Sequence, residues 1–330
     1  MKILVWNLLN IGRTKLPKTL SPPVQLAQMG NNVLDYIVKV AMADVVWSNP
    51  GGIMNPSPVD IFMLIELKSG GTAKGAPVSG AALPVLTSIT NAMNIVAAAL
   101  PLASPFYNQY SYNFATPKLT GRHECVGLIY NTKSLNFTDD GSHSGVLLNN
   151  VNTHYLVPRT PWWAQLTEKA SGSIINMVGI HAPPPSGSEN RFKAPVKFSN
   201  LLQYINTVNQ TLNTPKQPVC IAGDFNCDQS NTYKAMGGPV SSFTGLTGYG
   251  YTVAIPAGTA SSIRRAIDNS YMKPENYLSG SYDNIVINFA SAMVAKVLDL
   301  IGEAPIYVSN MVAVFNSTRR VSDHLPVLLQ

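Results

Sequence analysis

The stretch Val219-Cys220-Ile221-Ala222-Gly223-Asp224-Phe225-Asn226-Cys227-Asp228 (VCIAGDFNCD) decides how the chain is read. Its first half is an apolar run with the length and composition of a strand buried on both faces. The run stops at Gly223 and is followed at once by two carboxylates, an amide and a second thiol. Three readings are open: a metal site, a redox pair, or an ordinary strand-to-loop transition. Spacing removes the redox pair, because Cys220 and Cys227 are too far apart for a Cys-x-x-Cys motif. With Cys125 the chain has 3 cysteines, so they cannot all pair internally. A Cys220–Cys227 link is open, but buried free thiols are the expectation. Asp228 reads as a turn former.

Working outward, apolar runs with similar endings recur along the 330 residues. Lys2–Trp6 reads as a central strand, and DIFMLIEL (60–67) as a second buried one. YSYNFAT, HECVGLIYN, PWWAQLTE and SIINMVGIHA follow as strands broken by turn residues, then SYDNIVIN (281–288) and the terminal RVSDHLPVLL. Helical spacing of apolar residues predicts helices over 24–43, 83–102 and roughly 191–213. Neither an internal repeat nor a linker divides the sequence. Adjacent short strands with a few long helices predict an α+β fold, two sheets packed face to face with helices outside, as a single domain over 1–330. A doubly wound sheet would alternate its strands and helices more regularly. Within that sandwich, Trp162 and Trp163 are expected to pack between the sheets.

Composition narrows the class of partner. Charged residues are only 12 % of the chain, and the excess of Lys and Arg leaves a net charge of +6. That favours a polyanion, either nucleic acid or phospholipid headgroups, although a mildly basic soluble surface accounts for it as well. The opening MKILVWNLLN has too short an apolar run for a secretory signal peptide, so a cytoplasmic location or another export route is expected. The longest apolar run, 83–102, carries Thr, Ser and Asn throughout and reads as a buried helix, without any transmembrane segment.

The chemistry lies in how the runs end. Asn7, Glu66, His181, Asp224 with Asn226, Asp283, and Asp323 with His324 each close or interrupt an apolar run with a group that a core strand does not need. Taken singly, such residues are turn formers, helix caps or satisfied structural histidines. As a set converging on one edge of a sandwich, they are the groups that metal-assisted phosphoryl chemistry requires. Hard oxygen donors suit Mg²⁺, with Mn²⁺ or Ca²⁺ as alternatives, and no Cys/His pair has zinc-ligand spacing.

The ordered series WN…IE…HECVGLIY…GIHAPP…GDFN…YDNIVI…SDHLP, spanning residues 6 to 326, resembles the endonuclease/exonuclease/phosphatase superfamily. The resemblance implies the deoxyribonuclease I-like fold, a four-layer sandwich of two mixed β-sheets flanked by helices. It implies a divalent-metal-dependent phosphodiesterase with Glu66 as principal metal ligand, completed by Asp323 and Asn7. Asp224 and Asn226 would orient the attacking water and the phosphate. His181 and His324 would act as acid/base and electrostatic groups, partnered by Glu124 and Asp283 respectively. Glu124 and Arg159 make the sequence most similar to the branch of deoxyribonuclease I and the cytolethal distending toxin catalytic subunit. Arg159 would grip a substrate phosphate, and Arg122, standing where that branch has a DNA-contacting tyrosine, would be a second phosphate contact. The implied substrate is DNA, cut by a monomer; the alternative is a phospholipid or phosphoinositide, as in sphingomyelinase-like relatives. Basic residues in predicted loops, among them Lys15, Lys18, Arg264 and Arg265, are weaker candidates for backbone phosphates.

Overall fold

The computed structural model describes residues 1–19, 32–42, 57–71, 75–121, 123–138, 144–146, 159–182, 217–228, 232–235, 238–241, 243, 250–264, 277–289, 293–301 and 311–330. The strands form two seven-stranded sheets and a separate two-stranded one. The first sheet holds β1 (Ile3–Ile11), β2 (Ile61–Lys68), β3 (Tyr112–Ala115), β4 (Leu119–Gly121), β5 (Glu124–Asn131), β15 (Ala295–Val297) and β16 (Val327–Leu329). Its order is β15-β16-β1-β2-β5-β3, with β4 also on β5. The second holds β6 (Leu135–Phe137), β7 (Ser144–Val146), β8 (Trp162–Glu168), β9 (Ile174–His181), β10 (Val219–Asp224), β13 (Thr252–Val253) and β14 (Asp283–Ile287). Its order is β13-β14-β10-β9-β8-β6, with β7 also on β8. β11 (Thr232–Ala235) and β12 (Gly238–Ser241) form the small hairpin. Both large sheets are mixed: β1–β2 and β9–β10 are parallel, while β1–β16, β2–β5, β8–β9 and β10–β14 are antiparallel.

The central strands are apolar on both faces because both faces are covered. On β1, Ile3 and Val5 face the second sheet, while Leu4, Trp6 and Leu8 face the helices. β2 divides the same way, with Ile61 and Met63 inward and Phe62 and Leu64 outward. Against the outward residues pack α1 (Val33–Met42), α2 (Ala82–Ala98) and α3 (Met311–Val321), through Tyr36, Ile37, Leu86, Ile89 and Phe315. From the second sheet, Met177, Cys220, Ala222 and Ile285 fill the space between the sheets. Its outer face carries another apolar cluster, Val178, Ile180, Val219 and Ile221 with Phe225 and Phe243. The helix predicted over 191–213 lies outside the described residues.

The sheets touch closely beneath the strand ends. A Cβ on Gly179 would lie 2.5 Å from Val126 Cγ1 and 3.2 Å from Met63 Sδ, so only a glycine lets the two layers close there. Trp162 is fully buried between the sheets as expected, whereas Trp163 packs on the outer cluster. All 3 cysteines are free and buried, and burial raises the Cys125 and Cys220 thiols to about 12. Asp228 accepts a hydrogen bond from Gly258 N at 2.9 Å, as a loop-fixing carboxylate does.

Helix boundaries and the last strand need correction. Within the helix predicted over 24–43, the described α-helical residues are Val33–Met42. α2 ends at Ala98, ahead of Pro101. RVSDHLPVLL is not one strand: Arg320 and Val321 close α3, whose Phe315, Thr318 and Val321 recur at helical spacing and are buried. Ser322–His324 then form a turn, and the strand begins only beyond Pro326, which has no N–H for a ladder. Among the described residues no helix is long and apolar enough to cross a membrane.

Candidate active site

Glu66 reaches the cleft through a backbone irregularity. The β1–β2 register runs Asn7↔Ile65 and then Ile11↔Leu67, so Leu8, Leu9 and Asn10 stand opposite Glu66 alone. On the other side, Leu64↔Gly127 and Leu67↔Cys125 leave Ile65 and Glu66 opposite the single Val126. Such bulges re-aim side chains. Strict alternation would send Glu66 after Phe62 and Leu64 into the helix layer; instead Leu67 takes that place. Glu66 (φ 63), Leu9 (φ 48) and Asn10 (φ 54) are all left-handed, a strained conformation for residues other than glycine. In return the Glu66 carboxylate is gripped on three sides. Asn7 Nδ2 donates to Oε1 at 3.3 Å, Asn10 N donates to Oε2 at 3.0 Å, and His181 Nε2 lies 3.0 Å from Oε1.

Sheet register explains the next three residues. Asp224 lies level with His181 on the parallel neighbour β9 and with Asp283 on the antiparallel neighbour β14. Three adjacent strands therefore end in a row of His, Asp and Asp. Gly223 (φ 139) makes the approach possible, since a Cβ there would lie 2.1 Å from Ile180 O. Asp224 Oδ2 is the centre of the arrangement: Asn7 Nδ2 donates to it at 3.1 Å, His181 Nε2 is 3.6 Å away and His324 Nε2 is 3.8 Å away. Asn226 (φ 50) donates its backbone N–H to Asp224 Oδ1 at 2.8 Å and its Nδ2 to Ala182 O at 2.7 Å.

His324 is set by the first sheet as well as the second. Trp6 Nε1 donates to His324 O at 2.8 Å, and Ser322 Oγ ties the turn to Asn7 O while accepting His324 N at 2.9 Å. The ring then meets Asp283, with Nδ1 2.7 Å from Oδ2. Ser261 donates its hydroxyl to the same Asp283 oxygen at 2.8 Å and accepts the Asp283 and Tyr282 N–H groups. Sequence reasoning missed Ser261, Ser322 and Asn10. None ends an apolar run, and the part each plays depends on backbone geometry that residue type does not encode.

The histidines are held charged. Burial opposes protonation of His181, but Glu124, Glu66 and Asp224 outweigh it and raise the ring to about 9. Burial likewise opposes charge on His324, and Asp283, Asp224 and Asp323 raise it to about 10. For Glu66, desolvation would raise the carboxyl, yet His181 and Asn7 bring it down to about 2. Asp224 is raised, chiefly by complete burial and against the pull of His324.

Glu124 opens β5 with one oxygen toward each neighbour. Oε2 is 3.4 Å from His181 Nδ1 and Oε1 is 2.7 Å from Arg159 Nε, both ion-pair contacts without hydrogen-bond alignment. Arg159, expected to grip a phosphate, is engaged with Glu124 and donates Nη1 to Ala182 O at 3.3 Å. Lys15 turns inward, donating to Leu8 O at 2.7 Å and Leu9 O at 3.0 Å; burial lowers it to about 8 against the pull of Asp323 and Glu66. Arg264 donates Nε to Leu278 O. Arg122 and Arg265 lie outside the described residues.

The donor set fits a hard divalent cation. Glu66, His181 and Asp224 bring ligand atoms within 4.8 Å of one another, as do Asp224, Asp283 and His324. Asp323 Oδ1 is a buried carboxylate oxygen without a hydrogen-bond partner, 3.8 Å from His324 Nε2. An oxygen so placed suits a cation. Glu66, ionised at any ordinary pH, supplies a second oxygen anion.

No protein-family model matches the sequence, and no curated protein matches it significantly. Solved structures do match the fold along the whole chain. One is a conserved protein of unknown function from Enterococcus faecalis V583, with TM-score 0.52, 11 % identity, and coverage of 100 % of this chain and 98 % of that one. An endonuclease/exonuclease/phosphatase family protein from Leptotrichia buccalis C-1013-b gives 0.50 at 12 % identity, with the same coverage of both chains. An endonuclease/exonuclease/phosphatase from Bacteroides vulgatus gives 0.50 at 14 %, again covering 100 % and 98 %. The chain has the endonuclease/exonuclease/phosphatase, deoxyribonuclease I-like fold, with its two mixed seven-stranded sheets.

Proposed function

We propose that the protein is a divalent-metal-dependent phosphodiesterase whose substrate is DNA, cleaved internally by in-line attack of water. One observation carries the reading: two carboxylate-backed imidazoles, His181 with Glu124 and His324 with Asp283, converge on the buried Asp224 beside Glu66. Glu66, Asp323 and Asn7 would hold the Mg²⁺ (Mn²⁺ or Ca²⁺ as substitutes). When bound, the ion supplies positive charge that neutralises a phosphate oxygen. Asp224, whose affinity for a proton is raised by burial, orients the attacking water and accepts its proton. Asn226 fixes Asp224 from below through its backbone N–H. His181 and His324, both cationic at neutral pH, stabilise the pentacovalent phosphate, and one of them protonates the leaving oxygen. Glu124 and Asp283 keep the rings oriented and charged. No covalent intermediate is needed. Glu124 with Arg159, the pairing of the deoxyribonuclease I-like branch, supports DNA over a lipid substrate, while the net charge of +6 favours a polyanion of either kind. One chain supplies every residue, so the proposal is of one domain acting as a monomer.

The test is a parallel panel of duplex DNA, RNA, and vesicles of sphingomyelin or phosphoinositide, with Mg²⁺ or EDTA, for wild type and His181→Ala. DNA cleavage that needs Mg²⁺ is expected, with His181→Ala slower by about 10²–10⁴-fold. Release of phosphocholine or inorganic phosphate with DNA left intact would transfer the reading to lipid. No turnover with Mg²⁺, Mn²⁺ or Ca²⁺ would overturn it altogether.

A further inference from the structure

We infer that Arg159 and Gly121 are positioning residues that act on His181 through Glu124, and that Arg159 is not primarily a substrate contact. The inference rests on the proposed phosphodiesterase reading. Arg159 Nε lies 2.7 Å from Glu124 Oε1, on the side of the carboxylate away from His181, whose Nδ1 is 3.4 Å from Oε2. A carboxylate so divided cannot rotate toward either cation without leaving the other. Arg159 also donates Nη1 to Ala182 O at 3.3 Å, the carbonyl that Asn226 Nδ2 reaches at 2.7 Å. Ala182 directly follows His181, so Arg159 fixes the histidine from both ends: through its carboxylate partner and through the next peptide.

Gly121 makes room for this. It stands opposite Glu124 in the β4–β5 pair, and Thr160 N, next to Arg159, donates to Thr120 O at 2.6 Å. A Cβ on Gly121 would meet Glu124 Oε1 at 3.0 Å, Arg159 Cγ at 3.1 Å and Glu124 Cγ at 3.2 Å. These contacts are tight enough to displace the pair by a few tenths of an ångström while leaving the strand intact. Because Glu124 follows three residues later on a neighbouring strand, a single methyl group reaches the catalytic pair without approaching the substrate.

The test is a double-mutant cycle on the active enzyme with a DNA substrate. Arg159→Met and Gly121→Ala are each expected to lower kcat by about 10- to 100-fold with KM nearly unchanged, as for a misplaced catalytic group. Arg159→Lys, which keeps the charge without the fork, should not restore the rate. The decisive result is non-additivity: Arg159→Met combined with Glu124→Gln should be no slower than Glu124→Gln alone. Additive losses, or a rise in KM with kcat preserved in Arg159→Met, would overturn the inference and return Arg159 to the phosphate. Unchanged kcat in Gly121→Ala would remove Gly121 from it. Urea unfolding of the same four proteins reads the Arg159–Glu124 coupling without turnover. A wild type inactive on every phosphodiester therefore defeats the parent reading, while absent coupling defeats this one.

Discussion

Asp283 Oδ2 accepts two hydrogen-bonding groups at once, the Ser261 hydroxyl and His324 Nδ1. Replacing Asp283 by Asn would put a neutral amide against the ring, so Asp283→Asn is expected to lower kcat by about 10²–10⁴-fold in the DNA assay. Ser261 makes its side-chain bonds to Asp283 and Tyr282, and Ser261→Ala removes one donor and the acceptor for two N–H groups. A stability loss of about 1–3 kcal/mol is expected from urea denaturation, together with a slower enzyme. An unchanged urea midpoint would show that another group takes over those N–H bonds. The contrast marks what sequence carries at this scale. Asp283, His324, His181 and Asp224 are legible because each puts a polar group against an apolar run. Ser261, in ASSI, sits in a loop where serine is ordinary, and only the fold brings it to Asp283.

The strands themselves were legible, and their irregularities were not. Period and composition locate β2, β5, β9, β10 and β14 within a residue or two, while β1, read as Lys2–Trp6, runs on to Ile11. Strict alternation along β2 would put Glu66 with Phe62 and Leu64 on the helix side, because a bulge is invisible to a pattern of period two. The terminal stretch was misread for a related reason: α3 ends at Val321, directly before the Ser322–His324 turn, so helix, turn and strand share ten residues. Gly223 tests the close approach of β10 to β9. Gly223→Ala would meet both a left-handed backbone and a carbonyl oxygen at 2.1 Å. It is expected to cost more than the roughly 1–3 kcal/mol of backbone strain alone, read as a lowered urea midpoint. Equal stability to wild type would mean that β9 moves aside freely.

Across the whole molecule, two lysines, Lys2 buried and Lys15 half-buried, tie stability to pH in the alkaline range. Lys2, whose Nζ donates to Ser57 O at 2.7 Å, is lowered to about 8, first by burial and then by Lys296, against the pull of Asp60. Lys15 is lowered to about 8 as well. Between that value and the usual 10.5 the unfolded chain binds protons that the folded chain has lost, so their contribution to stability rises with pH across this window. The urea midpoint of Lys2→Met should therefore depend less steeply on pH from about 8 to 10 than that of wild type; parallel curves would count against a strained Lys2. The contact of Gly179 with Val126 and Met63 has its own consequence at this scale. It presses the two sheets together just beneath His181, so the two ligand groups that share Asp224 stand together at one end of the strands. Under the proposed reading one such cluster serves one phosphodiester at a time, and the complementary strand of a duplex waits for a separate encounter. Supercoiled plasmid should accordingly pass through an accumulating open-circular form before any linear product, and early linear molecules without open circles would show that both strands are reached in a single visit.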